Sequence, residues 1–441
     1  MTEKFNIRLA FYFLLSFFVQ TTFSQDKPKS PVLNSKVKGE IVNTISQLLL
    51  DNYVYPDTAK LMSNCILKQL ADGKYKSVTN IIALTDLLNV DIKTVVRDGH
   101  FQITYNPAME QQLLNDGQIL PAKIATGNFR NTNSGIRSMK ILNGNIGLLE
   151  LGNFVEPNEL SKEAVKSALT FLANTNAIIF DLRNNGGGSP AMVQYICGYF
   201  FENKTHLMDW YSRPANKLTP FWTTPDSTEK RFIAKPLYIL CGSGTGSAAE
   251  EFCYDLKHLK RATLVGQATA GAAHGTFEKS AGHGVIVYIP YAHSISAITK
   301  TDWEHIGALP DIKVSTEKAL EVAQEKIFEN LITTNTDSLN LFELNWQYDL
   351  LKAYNNPIII DQETLKKFCG VYGERTFTFE NGELYYQRIG KPKFKLTPMT
   401  NTLMKGNDFF KIEFIKSEDG SFNELVAYYQ DRRVEKAKRT K

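Results

Sequence analysis

Between residues 139 and 332, short apolar stretches alternate with stretches of helical periodicity, and this alternation constrains the fold more than any other feature. The predicted strands cover residues 146–151, 177–182, 236–241, 262–266 and 284–290, and the predicted helices cover 190–200, 247–258 and 316–332. Strands that alternate with helices form largely parallel sheets covered on both faces. We therefore predict an α/β domain over residues 102–332.

The segments on either side of this predicted domain have different sequence patterns. From residue 37 to 97 apolar side chains recur at helical spacing, which predicts a small helical bundle within residues 25–101. A polar stretch and an Asn-Asn-Pro break predict a linker over residues 333–362. Short strands separated by turn signals such as Asn381-Gly382 predict a small all-β domain over residues 363–441.

The N-terminus has the pattern of a secretory signal peptide. Lys4 and Arg8 precede an apolar run over residues 9–19, and small or polar residues follow up to Ser24. The apolar run is too short for a comfortable membrane span. We expect cleavage after residues 1–24 and export to the periplasm or the medium, with no membrane span left in the mature chain.

Composition excludes several classes of partner and cofactor. The formal net charge is only +4, and the basic C-terminal tail, residues 432–441, contains no aromatic residues for base stacking, so we predict no nucleic-acid partner. The five cysteines are scattered without the spacing of a disulfide framework or a zinc site. We therefore expect neither a cofactor nor a metal.

Ser247 lies where a strand–turn–helix passage would expose a hydroxyl. It follows the predicted strand 236–241 and a Gly/Ser/Thr loop, and it begins the predicted helix 247–258. Unpaired backbone N–H groups and the positive end of the helix dipole suit a nucleophile whose attack creates an oxyanion. An ordinary serine N-cap would have the same local pattern.

Three successive glycines, Gly186 to Gly188, follow another predicted strand. Their backbone could approach a ligand closely and supply a second oxyanion donor. The two phosphate-loop patterns, Gly-x-Gly-x-x-Gly and Gly-Lys-Ser/Thr, are both absent from this loop. A tight strand–helix turn remains the alternative interpretation.

A nucleophilic hydroxyl needs a base, and the chain has seven histidines. His100 lies where the predicted bundle ends and a strand begins, whereas His274 and His283 lie in glycine-rich loops and remain alternatives. Glu304, in a turn-rich segment, could orient a histidine and stabilise its cation, or could be a solvated glutamate.

Four motifs in order resemble the S41 peptidases, which include the C-terminal processing proteases, the tricorn core protease and the interphotoreceptor retinoid-binding proteins. The motifs are Asp-Leu-Arg-Asn-Asn-Gly-Gly-Gly (181–188), Ser-Ala-Ala-Glu-Glu (247–251), Gly-Gln-Ala-Thr-Ala-Gly (266–271) and Gly-Ala-Leu-Pro-Asp-Ile (307–312). The resemblance covers roughly residues 37–330. It implies a crotonase-like (ClpP/crotonase type) α/β protease core.

Two departures separate this chain from the processing proteases. Their Ser–Lys dyad places lysine in a Thr-x-Gly-Lys-Gly context, but Ala272 stands at that place here. Only residues 106–143 are available for the PDZ domain of those proteases, which is too short. Asp98-Gly99-His100 instead matches the Asp-x-His motif of the tricorn-like and retinoid-binding-like branch.

The resemblance to that branch implies a role for each site residue. Ser247 would be the nucleophile, His100 the general base and acid, and Glu304 the orienting group. The oxyanion hole would use the backbone N–H of Ala248 and of Gly187 or Gly186. The implied function is an exported serine-type endopeptidase or carboxyl-terminal peptidase acting on peptides or proteins.

Two other functions remain open at this point. The retinoid-binding members suggest a non-catalytic carrier of small hydrophobic ligands, although a pure carrier needs no Ser–His–Glu set. An exported esterase could use the same triad, although Ser247 lacks the Gly-x-Ser-x-Gly context of the α/β-hydrolases.

Overall fold

The computed structural model describes residues 33–115, 132–224 and 230–440. The predicted signal peptide, residues 1–24, lies outside these ranges. Among the helices within them, none has the length and apolar character needed to cross a membrane.

The described chain contains helices and strands of ordinary length. The helices are α1 (Ser35–Asn52), α2 (Pro56–Ala71), α3 (Ile81–Lys93), α4 (Pro107–Asn115), α5 (Glu159–Phe171), α6 (Pro190–Cys197), α7 (Ala248–His258), α8 (Ala319–Thr334), α9 (Ser338–Asn355) and α10 (Gln362–Phe368). The first eleven strands are β1 (Gln102–Tyr105), β2 (Ile136–Leu142), β3 (Ile146–Leu151), β4 (Ala177–Asp181), β5 (His206–Ser212), β6 (Lys217–Trp222), β7 (Leu237–Cys241), β8 (Thr263–Gly266), β9 (His274–Gly282), β10 (Val285–Ser296) and β11 (Ile312–Lys313). The remaining strands are β12 (Gly370–Tyr372), β13 (Arg375–Glu380), β14 (Glu383–Arg388), β15 (Phe394–Lys395), β16 (Thr397–Pro398), β17 (Leu403–Asn407), β18 (Phe410–Lys416), β19 (Phe422–Tyr429) and β20 (Val434–Lys438).

A six-stranded sheet forms the centre of the α/β region, in the order β11-β8-β7-β4-β3-β2. All its neighbouring strands pair in parallel except β2, which is antiparallel to β3. Every residue of β4 is buried, as expected for a strand covered on both faces. Phe252 of α7 and Ile196 of α6 belong to one apolar cluster of this sheet, and Phe328 of α8 belongs to another. The predicted α/β architecture is confirmed.

A second sheet is antiparallel and was not predicted as such, since the predicted strand 284–290, which falls largely in β10, was expected in the parallel sheet. Its order is β1-β10-β5-β6, and β9 also pairs with β10. Strand β9 contains two glycines and mostly polar residues, so it lacks an apolar run that would indicate a strand. Ile41 of α1 and Leu84 of α3 share one buried cluster with Val287 of β10. The N-terminal helices are therefore packed on this sheet and do not enclose a separate core.

The segment predicted as a linker, residues 333–362, is largely helical. Asp337 caps α9 by accepting a hydrogen bond from the Asn340 N–H at 2.8 Å. Leu344 joins the apolar cluster beneath the central sheet, and the Trp346 indole N–H donates to the Asp408 carbonyl at 2.9 Å. Helix α9 thus connects the α/β region to the C-terminal strands, because its apolar residues contact both.

The C-terminal region is an all-β structure preceded by the short helix α10. Its strands form two antiparallel sheets, β12-β13-β14-β15 and β16-β17-β18-β19-β20. The two sheets share one buried cluster that includes Phe377, Phe414 and Leu425. The segment 394–398 is divided between the two sheets, since β15 pairs with β14 and β16 pairs with β17.

Candidate active site

The glycine loop and the Ser247 turn meet because their strands are neighbours. β4 and β7 are parallel and adjacent, so the loops that follow them leave the same edge of the sheet. The Gly246 N–H donates to the Asn185 carbonyl at 2.9 Å, which ties the two loops together. A Cβ on Gly187 would lie 2.7 Å from the Ser247 Cβ, so only glycine fits against the serine.

Ser247 occupies a backbone conformation that is rare for a residue with a side chain. Its φ is 52° and its ψ is −122°, a region populated almost only by glycine and costing of order 1–3 kcal/mol elsewhere in proteins. Such strain persists only where surrounding contacts over-determine it. This conformation distinguishes Ser247 from an ordinary N-cap, which has β-region dihedrals.

Glu250 holds the strained turn in place. Its buried carboxylate accepts hydrogen bonds from the Ser247 N–H at 2.9 Å and the Thr269 hydroxyl at 2.5 Å. It also accepts from the N–H groups of Gly271 at 2.6 Å and Ala272 at 2.9 Å. One carboxylate therefore fixes both the serine turn and the loop that replaces the lysine motif of the processing proteases.

We expect Glu250→Ala to lower the free energy of unfolding by about 3 kcal/mol, because four buried donors lose their acceptor. Hydrolytic activity should also fall, since the Ser247 turn loses the hydrogen bond from the Ser247 N–H to Glu250. Urea denaturation measures the first effect, with the exposed Glu163→Ala on α5 as the matched control. Equal stability of the two variants would contradict this role.

The predicted oxyanion donors differ in availability. The Gly187 N–H donates to the Asn185 side-chain oxygen at 2.9 Å, so it is already engaged. Across the described ranges, the N–H groups of Ala248 and Gly186 donate no hydrogen bond. Of the three predicted donors, Ala248 and Gly186 are therefore the available pair, and Gly187 contributes close packing against Ser247.

His100, His274 and Ser247 line one cavity of about 630 Å³, together with the glycine loop. His283 lies outside its lining and pairs with Glu40 at 2.9 Å. No hydrogen bond joins Ser247 to either cavity histidine in the described chain. The structure thus narrows the candidate bases to two.

The two cavity histidines differ in their partners. His274 Nδ1 lies 2.8 Å from Asp98 Oδ2, and its Nε2 lies 3.4 Å from the Tyr55 hydroxyl. His100 Nδ1 is buried and has no hydrogen-bond partner among the described residues, with Asp98 Oδ1 4.0 Å away. His274 therefore has a partner at each ring nitrogen, whereas His100 Nδ1 has none among the described residues.

The pKa values of His100 and His274 are shifted in opposite directions. Burial lowers the pKa of His100, outweighing the opposite effect of the Asp98 charge, and the His274 charge lowers it further. Burial also disfavours the cation of His274, but its hydrogen bond to Asp98 and the charges of Asp98 and Glu304 raise its pKa overall. Burial thus favours the neutral form of His100, which is the form that can accept a proton, whereas the contact with Asp98 favours the cation of His274.

Glu304 does not contact the histidine expected from the sequence. Its Oε2 lies 3.7 Å from His274 Nδ1 and accepts a hydrogen bond from the Ala273 N–H at 2.6 Å. No ion pair joins it to His100 in the described part of the chain. Burial raises the pKa of Glu304 to about 7. The carboxylate beside His100 is that of Asp98, which the sequence indicated only as part of a motif.

Asp98, His274 and Glu304 also come close enough to hold a metal ion, with one ligand atom of each within 4.8 Å of the others. The hydrogen bond from His274 to Asp98 accounts for the approach of that pair. The cluster is therefore explained as a hydrogen-bonded ion pair with a neighbouring carboxyl group.

Comparison with known protein families identifies two segments of the chain. The model of peptidase family S41 matches residues 145–314, which include the glycine loop and the Ser247 turn. The chain carries a peptidase family S41 domain. Ahead of it, residues 32–129 match the N-terminal domain of S41 peptidases in eukaryotic IRBP, so the S41 domain is preceded by the segment expected for the retinoid-binding-like branch.

Two curated relatives of the S41 domain are chloroplastic processing peptidases. The carboxyl-terminal-processing peptidase 2 of Arabidopsis thaliana is 29% identical over 170 residues, covering 38% of this chain and 31% of that protein. The C-terminal processing peptidase of Tetradesmus obliquus is 28% identical over 184 residues, covering 39% of this chain and 36% of that protein. The chain thus spans about a third of the length of the curated relatives it matches.

Among solved structures, the photosystem II D1 C-terminal processing protease aligns with 65% of this chain and 94% of its own. The two are 15% identical in sequence and superpose with a TM-score of 0.43.

Proposed function

We propose that the chain is an exported serine peptidase in which Ser247 attacks the carbonyl carbon of a peptide bond. The observation that carries the proposal is the strained Ser247 turn, packed against the glycine loop and facing the same cavity as His100. An ordinary helix cap would need neither the strain nor the glycine contact.

The reaction follows from the groups around the cavity. His100 accepts the Ser247 hydroxyl proton as the C–O bond forms, and the N–H groups of Ala248 and Gly186 stabilise the oxyanion. When the C–N bond breaks, the imidazolium of His100 gives that proton to the leaving amine. Water then attacks the acyl-enzyme by the same route, which releases the acid and restores Ser247.

In this proposal Asp98 and His274 position the base. Asp98 accepts the His100 backbone N–H at 2.9 Å and carries a negative charge near the His100 ring. It stabilises the imidazolium that forms during the reaction. Glu304 supports the arrangement through His274, whose Nδ1 lies 3.7 Å from Glu304 Oε2, and is a positioning residue.

The assignment of the base predicts different results for the two histidines. His100→Ala should lower kcat by about 10³-fold or more with little loss of stability, and added imidazole should restore part of the rate. His274→Gln should instead lower the free energy of unfolding, because it breaks a buried ion pair. Peptide hydrolysis with and without imidazole, beside urea denaturation, measures both effects. If imidazole restored activity to the His274 variant and not to the His100 variant, His274 would be the base.

Export is part of the proposal and rests on the N-terminal sequence. The basic residues Lys4 and Arg8 followed by the apolar run 9–19 support a signal peptide, with cleavage near Ser24. The substrate would then be a peptide or protein outside the inner membrane. Cleavage either within chains or near their carboxyl ends is compatible with the open cavity.

A further inference from the structure

Helix α7 carries two buried acidic residues on the face that begins with Ser247. Glu251 follows Ser247 by four positions and Asp255 follows by eight, so the three side chains lie along one face of the helix. Glu251 is 2% exposed and Asp255 is 1% exposed. The fold therefore places two carboxyl groups one and two turns behind the proposed nucleophile.

These carboxyl groups lack the partners that buried polar groups normally have. Glu251 Oε1 and both carboxyl oxygens of Asp255 are buried and without a hydrogen-bond partner in the described structure. Neither residue forms an ion pair with a described lysine, arginine or histidine. Unpaired buried oxygens are costly, so each needs an explanation.

The same burial shifts the pKa of both acids. It raises the pKa of Glu251 well above its usual range, and the charge of Asp255 adds to this effect. Burial likewise raises the pKa of Asp255. Burial thus disfavours the charged form of both carboxyl groups, and a cation bound beside them would offset that cost.

Glu251 also lines the cavity that contains Ser247. The lining of this cavity also includes the aromatic side chains of Trp210, Phe221 and Tyr291. Aromatic faces and a carboxylate together favour a cationic group with a long apolar stem, which describes lysine and arginine. Leucine or phenylalanine would leave the Glu251 oxygen without a partner.

We propose that this cavity binds a lysine or arginine side chain of the substrate residue whose carbonyl Ser247 attacks, with Glu251 as the residue that meets its charge. Four residues of helix advance about 6 Å, which an extended lysine or arginine side chain spans. Asp255 lies one turn further along α7, and its negative charge would add to the attraction of Glu251 for the bound cation. The inference rests on the proposed peptidase function and adds its substrate class.

A peptide series tests the inference. Peptides that differ only in the residue before the cleaved bond should be hydrolysed with kcat/KM about 100-fold higher for arginine or lysine than for leucine or glutamate. Glu251→Gln keeps the shape of the side chain and should reduce the arginine-to-leucine ratio by about 30-fold or more. The exposed Glu163→Gln is the matched control and should leave the ratio unchanged. A wild-type ratio near one, or a ratio that Glu251→Gln does not change, would overturn the inference.

A binding measurement separates this inference from the peptidase proposal. Benzamidine, a small aromatic cation, should bind calorimetrically to the Ser247→Ala protein, and adding Glu251→Gln should weaken that binding by about 30-fold or more. Absence of peptide hydrolysis together with Glu251-dependent benzamidine binding would refute the peptidase and retain the cation site. Hydrolysis without such binding would retain the peptidase and refute the cation site.

Discussion

Replacing Ser247 with alanine is expected to lower peptide-hydrolysis kcat by about 10⁴-fold or more, because the proposed reaction proceeds through an acyl-enzyme formed on the Ser247 hydroxyl. Replacing it with glycine should abolish activity equally, but the two variants should differ in stability. Alanine retains a Cβ at φ 52°, whereas glycine adopts that conformation without strain. We therefore expect the glycine variant to be more stable than the alanine variant by about 1 kcal/mol.

Steady-state hydrolysis and urea denaturation of the two variants measure these effects, and the exposed Ser77→Ala serves as a control for serine removal. Turnover at the wild-type rate in Ser247→Ala would refute the nucleophile. Equal stability of the alanine and glycine variants would show that the Ser247 turn carries no strain.

Asp98→Asn is expected to have the second-largest effect, this time on folding as well as activity. Asp98 accepts hydrogen bonds from the Tyr53 hydroxyl at 3.0 Å, from His274 Nδ1 at 2.8 Å and from the His100 N–H. It therefore connects the end of α1 to strand β9 and to the base. Loss of its charge would break the buried ion pair between Asp98 and His274, which costs about 3–5 kcal/mol.

The effect of Asp98→Asn should depend on pH in a defined direction. Although burial opposes it, the contact with His274 lowers the pKa of Asp98, so its contribution to stability is present above about pH 4 and is lost as pH falls through the lowered pKa. His274 has a raised pKa, so its contribution is complete below about pH 6.5 and is lost as pH rises through the folded value. The variant should therefore differ most from the wild type between about pH 4 and 6.5.

Urea denaturation at several pH values measures this difference. The exposed Asp86→Asn on α3 is the matched control and should change stability by less than about 0.5 kcal/mol throughout. A gap between Asp98→Asn and wild type that widened as pH rose toward 8 would contradict the ion pair.

The local features of the fold and the site were accessible from the sequence. Ser247 and Gly186 each follow a buried parallel strand, and apolar runs with turn residues predict such strands directly. Because parallel neighbours share an edge, the two loops could be expected to meet. Helices α1 to α3 were predicted for a similar reason, since their apolar spacing is local.

The remote features could not be predicted from local patterns. Asp98 and His274 are 176 positions apart, and they meet only because β9 pairs with β10 beneath the N-terminal helices. The sequence of β9 does not indicate a strand, so it could not predict that His274 lies in the site. For the same reason it could not predict that Glu304 lies beside His274 and not beside His100. Helix α9 was missed because the polar residues around it indicated a linker, whereas its packing against both neighbouring cores stabilises it.

The central claim is that Ser247 is a nucleophile activated by a neutral His100. Reaction with a fluorophosphonate, followed by peptide mapping, tests it most directly, because the probe forms a covalent bond only with an activated hydroxyl. We predict stoichiometric labelling of Ser247 in the wild type, none in Ser247→Ala, and slow labelling in His100→Ala that imidazole accelerates. Absence of labelling on folded wild-type protein that binds apolar ligands tightly would contradict the account and would favour a carrier.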